Sequence, residues 1–297
     1  MRRFLICVIF AVLFGVAALT QPARTRELSP GVWFRQEDID AFEFANCGWV
    51  ILNDYVLVID TNLPWGATKI LAEIQKTTDK PVRFVFITHY HFDHSFGGSM
   101  YTSQGAAIVG SEDSAMETRT KGLEFWNRNS GKGDFTGEFS LAPYALAYPT
   151  VTFPQRIVFD DGNKRVELIK FGPGHTKGDS VAWLPKEKLL FAGDLCVNSS
   201  QPGTNVTDVD ADPSNWFKAL EEMITWNPRT VVCGHGAMGD GSTLRGQANY
   251  LSELWQRVTA GKKQGKSDVQ LVRDIDVSKH NPWVGNAENN ARCIRAM

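Results

Sequence analysis

Apolar positions along this chain fall into two patterns. Short runs of branched and aromatic residues, bounded by glycine, proline, asparagine or aspartate, read as strands. Longer stretches with apolar residues three and four apart read as helices. Gly48-Trp-Val-Ile-Leu52 and Tyr55-Val-Leu-Val-Ile-Asp60 flank Asn53-Asp54, which predicts a β-hairpin with a tight turn. Ile70, Leu71 and Ile74 place a helix near Trp65–Lys76. Further strands are predicted at Val82–Ile87, Ala106–Val109, Ile157–Phe159, Val166–Phe171, Val181–Leu184, Lys188–Phe191 and Thr230–Cys233. Asp212–Thr225 reads as a helix with Pro213 in its first turn and Trp216, Leu220 and Met223 on one face. Ser242–Val258 reads as another helix. Strands and helices thus alternate in two similar halves, which predicts a layered α/β body with sheets face to face and helices outside.

Two stretches break the pattern. Residues 123–154 hold Phe125, Trp126, Phe135, Phe139, Tyr144, Tyr148 and Phe153 without regular spacing. They read as a long insertion whose aromatics either line an apolar pocket or anchor the loop to the core. At the start, Arg2-Arg3 precedes an uncharged apolar run from Phe4 to Leu19. A basic start and a short apolar core describe a secretory signal peptide over residues 1–20, cleaved after Ala18 or Thr20, with an uncleaved anchor as the alternative. The expected location is periplasmic or secreted. The expected body is a single hydrolase domain over 27–260, followed by a C-terminal tail, 261–297, of which Ser267–Met297 carries no functional reading.

Charge narrows the function classes. Lys and Arg number 31 against 33 Asp and Glu, for a net charge of −2 without a basic stripe, so nothing points to nucleic acid. A small-molecule substrate is the expected partner, with no membrane contact beyond the export segment. Cys47, Cys196, Cys233 and Cys293 lack the density of a disulfide scaffold. One bridge is compatible with an oxidising compartment, but the sequence does not pair them.

The chemistry concentrates in His89-Tyr90-His91-Phe92-Asp93-His94, directly after the strand Val82–Ile87. Imidazole nitrogen and carboxylate oxygen are donors that zinc, iron and manganese accept, so the hexapeptide reads as a metal site. More candidates end strands downstream. His175 lies in Gly172-Pro-Gly-His-Thr-Lys-Gly-Asp179, Asp194 in Ala192-Gly-Asp-Leu195 and His235 in Cys233-Gly-His-Gly236. Each is flanked by glycine, which lets the backbone turn sharply and approach closely. Lys177 reads either as a contact for an anionic substrate group or as a solvated turn lysine, and His280 as a tail residue without ligand company.

His-x-His-x-Asp-His followed by Gly-His-Thr, Gly-Asp and Gly-His-Gly resembles the ordered motifs of the metallo-β-lactamase superfamily, over about Gly31 to Met238. The resemblance implies a four-layer αββα sandwich with a dinuclear site at one edge of the two sheets. It implies that His89, His91 and His175 hold a first zinc, that Asp93, His94 and His235 hold a second, and that Asp194 bridges them. Iron or manganese would accept the same set. Asp60, at the end of the hairpin, resembles the family's aspartate that supports a ligating histidine from behind.

The implied reaction is attack of a metal-bound hydroxide on an acyl carbon, with Asp93 orienting the nucleophile or passing on a proton. Lactamases of the branch with a cysteine ligand have that cysteine where Asp194 stands here, and their substrate-binding lysine where Val197 stands. Asp194 instead resembles the bridging aspartate of the glyoxalase II and lactonase branches. The resemblance therefore implies an exported zinc hydrolase of β-lactams or of a related amide or ester. A thioesterase or lactonase, and a non-hydrolytic zinc-binding accessory protein, stand beside it. Cys196 and Cys233 are kept as minor ligand candidates, and Cys233 reads otherwise as a buried apolar thiol.

Overall fold

A computed structural model of the chain describes residues 24–130, 139–198, 210–280 and 287–297. The expected export segment and Phe135 lie outside the described residues, as does all but the two end residues of the polar stretch Asn198–Asp210, whose place after Asp194 predicts that it borders the site.

The first sheet has seven strands in sequential order: β1 (Thr25–Ser29), β2 (Val32–Arg35), β3 (Cys47–Ile51), β4 (Val56–Ile59), β5 (Val82–Phe86), β6 (Ala107–Ser111) and β7 (Val151–Phe153). The strands from β1 to β4 run antiparallel, and those from β4 to β7 run parallel. The predicted hairpin is the β3–β4 pair, with Trp49 opposite Val58. The second sheet contains β8 (Arg156–Asp160), β9 (Arg165–Lys170), β10 (Ser180–Leu184), β11 (Leu189–Asn198) and β12 (Thr230–Gly236), in the order β12-β11-β10-β9-β8. Here β11 and β12 are parallel and the other pairs antiparallel.

Side chains alternate across a strand, so a strand covered on both faces reads as a continuous apolar run. Val56–Ile59 shows this directly. Leu57 and Ile59 join Phe34, Phe86, Phe191 and Val232 in a core between the sheets, while Val56 and Val58 pack outward on Ile70, Leu71 and Ile74 of the helix Pro64–Thr77. On the far side Val181, Trp183 and Leu190 of the second sheet pack on Trp216, Leu220 and Met223 of the helix Pro213–Thr225 and on Leu244 and Leu251 of the helix Gly241–Lys263. Helix, sheet, sheet and helix make the four layers of an αββα sandwich.

The structure corrects the reading of 123–154. A helical segment runs from Glu112 to Ser130, with a widened π turn at Thr118–Gly122. Trp126 is buried with Phe96, Leu63 and Leu141, and Phe153 lies between the sheets, so these aromatics anchor the segment. Phe125 and Tyr144 are only half-buried. Within 261–297, set apart as a tail, the described residues are folded onto the second half. Leu271, Ile275, Val277, Cys293 and Ile294 join the same apolar cluster as Trp216. His280 holds this layer from outside, its Nε2 2.8 Å from Glu253 Oε2.

Candidate metal centre

Parallel strands end in a common crevice, and in α/β sheets such crevices hold ligands. The chain turns into this one at Asp60 (φ 59°) and Asn62 (φ 57°), both in the left-handed region. Asp60 is buried, and its carboxylate organises the start of the ligand hexapeptide. The Thr88 amide donates to Oδ1 at 2.8 Å, the Thr88 hydroxyl to Oδ2 at 3.0 Å, and His94 Nδ1 lies 2.8 Å from Oδ2. Because the Thr88 hydroxyl donates to Asp60, it accepts from His89 Nδ1, 3.1 Å away. That leaves His89 Nε2 as an unprotonated acceptor, buried without a hydrogen-bond partner among the described residues.

Asp194 enters from the second sheet through a bulge. The β11–β12 register shifts on both sides of Gly193, whose φ is 50°. A bulge bends the strand and re-aims a side chain. Here it turns the Asp194 carboxylate into the crevice. Two glycines make this close approach possible, Gly193 against Thr88 and Gly234 against the carboxylate. A Cβ at Gly193 would lie 2.6 Å from Thr88 Oγ1, and one at Gly234 would lie 1.9 Å from Asp194 Oδ1.

All seven sequence-predicted ligand candidates meet here, in two groups whose donor atoms lie within 4.8 Å of one another: His89, His91, His175 and Asp194, and Asp93, His94 and His235. Six are buried and His91 is half-buried. His175 Nε2 faces His91 Nδ1 at 3.0 Å, and His94 Nε2 faces His235 Nε2 at 3.4 Å. Asp194 stands between the groups, 3.2 Å from His94 Nε2 and His235 Nε2 and 3.4 Å from His175 Nε2. Asp93 Oδ2 lies 3.3 Å from His235 Nε2 and 3.7 Å from His94 Nε2. Imidazole nitrogens facing one another in a buried space, with carboxylates among them, fit divalent cations held by nitrogen and oxygen.

Electrostatics divides the histidines. Burial, reinforced by the neighbouring imidazoles and opposed by Asp194, holds His89 well below the ordinary histidine range. Burial likewise lowers His175 to about 3. These two rings are neutral donors. Burial would lower His94 and His235 as well, but Asp194 and other carboxylates outweigh it and raise both. Asp194 itself is held well below the carboxylate range, because His235 and His94 outweigh its burial.

Three other residues fall elsewhere than in the ligand set. Cys196 and Cys233 are bonded to each other as a disulfide, so neither is a thiolate ligand and Cys233 is no free thiol. Cys196 and Asp194 would share a face only on a regular strand, and the bulge removes that regularity. Lys177 pairs with Asp113 at 3.2 Å on the surface.

The sequence places Glu37 only within the short loop Gln36–Phe44 before the hairpin, expected to overhang the metals, and gives the residue no role of its own. Glu37, after β2, is buried with Oε2 3.1 Å from His235 Nδ1. No periodicity or motif singles out a lone acid 198 residues away from its partner.

Comparison with known proteins agrees with this geometry. A profile of the metallo-beta-lactamase superfamily matches residues 40–235. A type 2 metallo-beta-lactamase from Pseudomonas aeruginosa is 24% identical over 277 residues, covering 89% of this chain and 96% of that protein. A type 2 metallo-beta-lactamase from Bacillus sp. (strain 170) is 29% identical over 226 residues, covering 73% of this chain and 78% of that protein. The solved structure of a metallo-beta-lactamase from Pontibacter korlensis superposes with a TM-score of 0.60 at 24% identity, covering 77% of this chain and 98% of its own, and so shares the fold. The chain belongs to the metallo-beta-lactamase superfamily of metal-dependent hydrolases.

Proposed function

We propose that this chain is an exported dinuclear zinc hydrolase that opens a β-lactam or a related amide or ester. One observation carries the reading: the Asp194 carboxylate faces both donor groups at 3.2–3.4 Å. A carboxylate so placed can be shared by two cations, and with Asp93 it offsets their charge. His89, His91 and His175 would hold one ion, Asp93, His94 and His235 the other, and Asp194 both. When bound, such ions supply Lewis-acid polarisation of the scissile carbonyl and a nucleophile available near neutral pH.

The chain's own groups supply the rest. Asp93, whose other neighbours here are imidazoles, orients the nucleophile, takes its proton and returns it to the leaving group. Phe92 lies within the ligand hexapeptide and stacks on Phe125, with ring centroids 5.1 Å apart. With Phe44 and Trp65 it forms a half-buried apolar cluster that would exclude water beside the metals. Relatives described as type 2 metallo-beta-lactamases support the lactam assignment. The Cys196–Cys233 disulfide and the basic, then apolar, N-terminus support an oxidising, extracytoplasmic location.

The test is nitrocefin hydrolysis by the purified, zinc-loaded protein with and without chelator. Turnover abolished by chelator is expected. No turnover with two ions bound would refute the lactam assignment and favour the thioesters and lactones that the place of Asp194 also suits. Full activity in Asp93→Ala would refute the role given to Asp93.

A further inference from the structure

We infer that Glu37 is the positioning residue that orients His235 for a metal ion in the Asp93–His94–His235 group. The inference rests on the proposed function. Oε2 lies 3.1 Å from His235 Nδ1, while Oε1 accepts from the Gly236 amide at 2.9 Å. Both carboxylate oxygens are therefore committed, and the side chain is buried.

Its backbone is held equally firmly. The Glu37 amide donates to Asn46 Oδ1 at 2.9 Å. The Asn46 amide nitrogen in turn donates to the carbonyls of Cys233 and Gly236, each at 2.9 Å. The Asn46 backbone donates to the Gly234 carbonyl at 2.8 Å. The β2–β3 connection of one half thus grips the end of β12 in the other half, on both sides of His235.

A carboxylate only accepts, so it requires the ring proton on Nδ1 and leaves Nε2 as the donor. His235 Nε2 is the atom that faces Asp93, Asp194 and His94. Two other histidines of the centre are built the same way. Asp60 stands behind His94 Nδ1, and the Thr88 hydroxyl behind His89 Nδ1. Glu37 completes that set for the one histidine contributed by the last strand. A staple holding only the loop would need the Gly236 bond alone. The bond to the imidazole determines which nitrogen is offered to the metal, and the nearby charge raises ring basicity.

The experiment is metal uptake, followed with cobalt(II) and zinc(II) against a chromophoric chelator. It uses metal-free wild type, Glu37→Gln and Glu37→Ala, with the melting temperature of each metal-free protein. Gln keeps the size and can still accept from Gly236, but its amide then turns a donor toward Nδ1. Wild type should take up two ions. Both variants should keep one ion within about threefold of its affinity and bind the other ~10–100-fold more weakly. Glu37→Gln should melt close to wild type. Variants that bind both ions as wild type does, or that weaken both ions equally, would overturn the inference.

A second measurement needs no variant. In zinc-loaded wild type, long-range proton–nitrogen spectra should place the His235 ring proton on Nδ1, and a proton on Nε2 would overturn the inference. Wild type that takes up no metal would overturn the proposed function itself, which separates the two failures.

Discussion

Gly234→Ala tests the placement of Asp194 with a single methyl group. Gly234 is not among the left-handed glycines, so alanine fits its backbone and only the added carbon matters. That carbon would lie 1.9 Å from Asp194 Oδ1, 2.9 Å from the Gly193 carbonyl carbon and 3.1 Å from Asp194 Cγ. Ordinary contact begins near 3.4 Å, so the carboxylate must retreat by about 1.5 Å, because the Gly193 backbone cannot. A displacement of that size at a reacting centre costs roughly a hundredfold in rate. Overpacking adds about 1–3 kcal/mol of lost stability.

The assay combines metal stoichiometry, chelator-sensitive turnover and urea unfolding. Loss of the second ion and of most activity in a folded protein is expected. Gly105→Ala is the control. It forces alanine to φ 89° in open space, so it should cost stability of order 1 kcal/mol and leave metal uptake unchanged. A Gly234→Ala protein that binds two ions at wild-type affinity with full activity would refute the assignment of Asp194 as the carboxylate between the two groups.

Other outcomes follow from the same geometry. Asp60→Asn keeps the size of the side chain but turns an amide toward Thr88 or His94, and should weaken the His94 group's ion ~10–100-fold; unchanged uptake in chelator competition would contradict it. The Cys196–Cys233 bond closes a separation of 37 residues, worth about 4 kcal/mol in the chain-entropy account. Replacing both cysteines by alanine should therefore lower the melting temperature by roughly 10 °C, and a shift of a degree or less would contradict it. Burial pushes the Asp179 carboxyl up to about 8, against hydrogen bonds donated by the Thr176 amide and hydroxyl. The folded protein then keeps a proton that the unfolded chain releases near 3.8, so this contribution is full at low pH and is lost as pH rises toward about 8. Wild-type stability relative to Asp179→Asn should fall across that window in urea unfolding, and a flat difference would refute it.

Much of this molecule is encoded locally. The β3–β4 hairpin, the helices Pro64–Thr77 and Pro213–Thr225 and most strands follow from spacings within a turn or a strand. His89–His94 is legible because its donors are adjacent in sequence, and His175, Asp194 and His235 because each ends an apolar run beside glycine. That is enough to predict a layered α/β body and one candidate metal centre.

Tertiary structure decided the rest. Cys196 finds Cys233 only when β11 and β12 lie side by side, and the Gly193 bulge determines that Asp194, not Cys196, faces the crevice. Trp126, after Leu123, acts as an anchor because Leu63 and Phe96 come to meet it from other segments. The helices Asp268–Asp274 and Ala287–Ala296 find their core only against a finished second half. Glu37 is an ordinary acid in the sequence, and it reaches His235 only because the two sheets pack face to face. Periodicity records which way a side chain points within its own element. Which atom it meets depends on how whole layers stack, and that is determined by the packing of the entire chain.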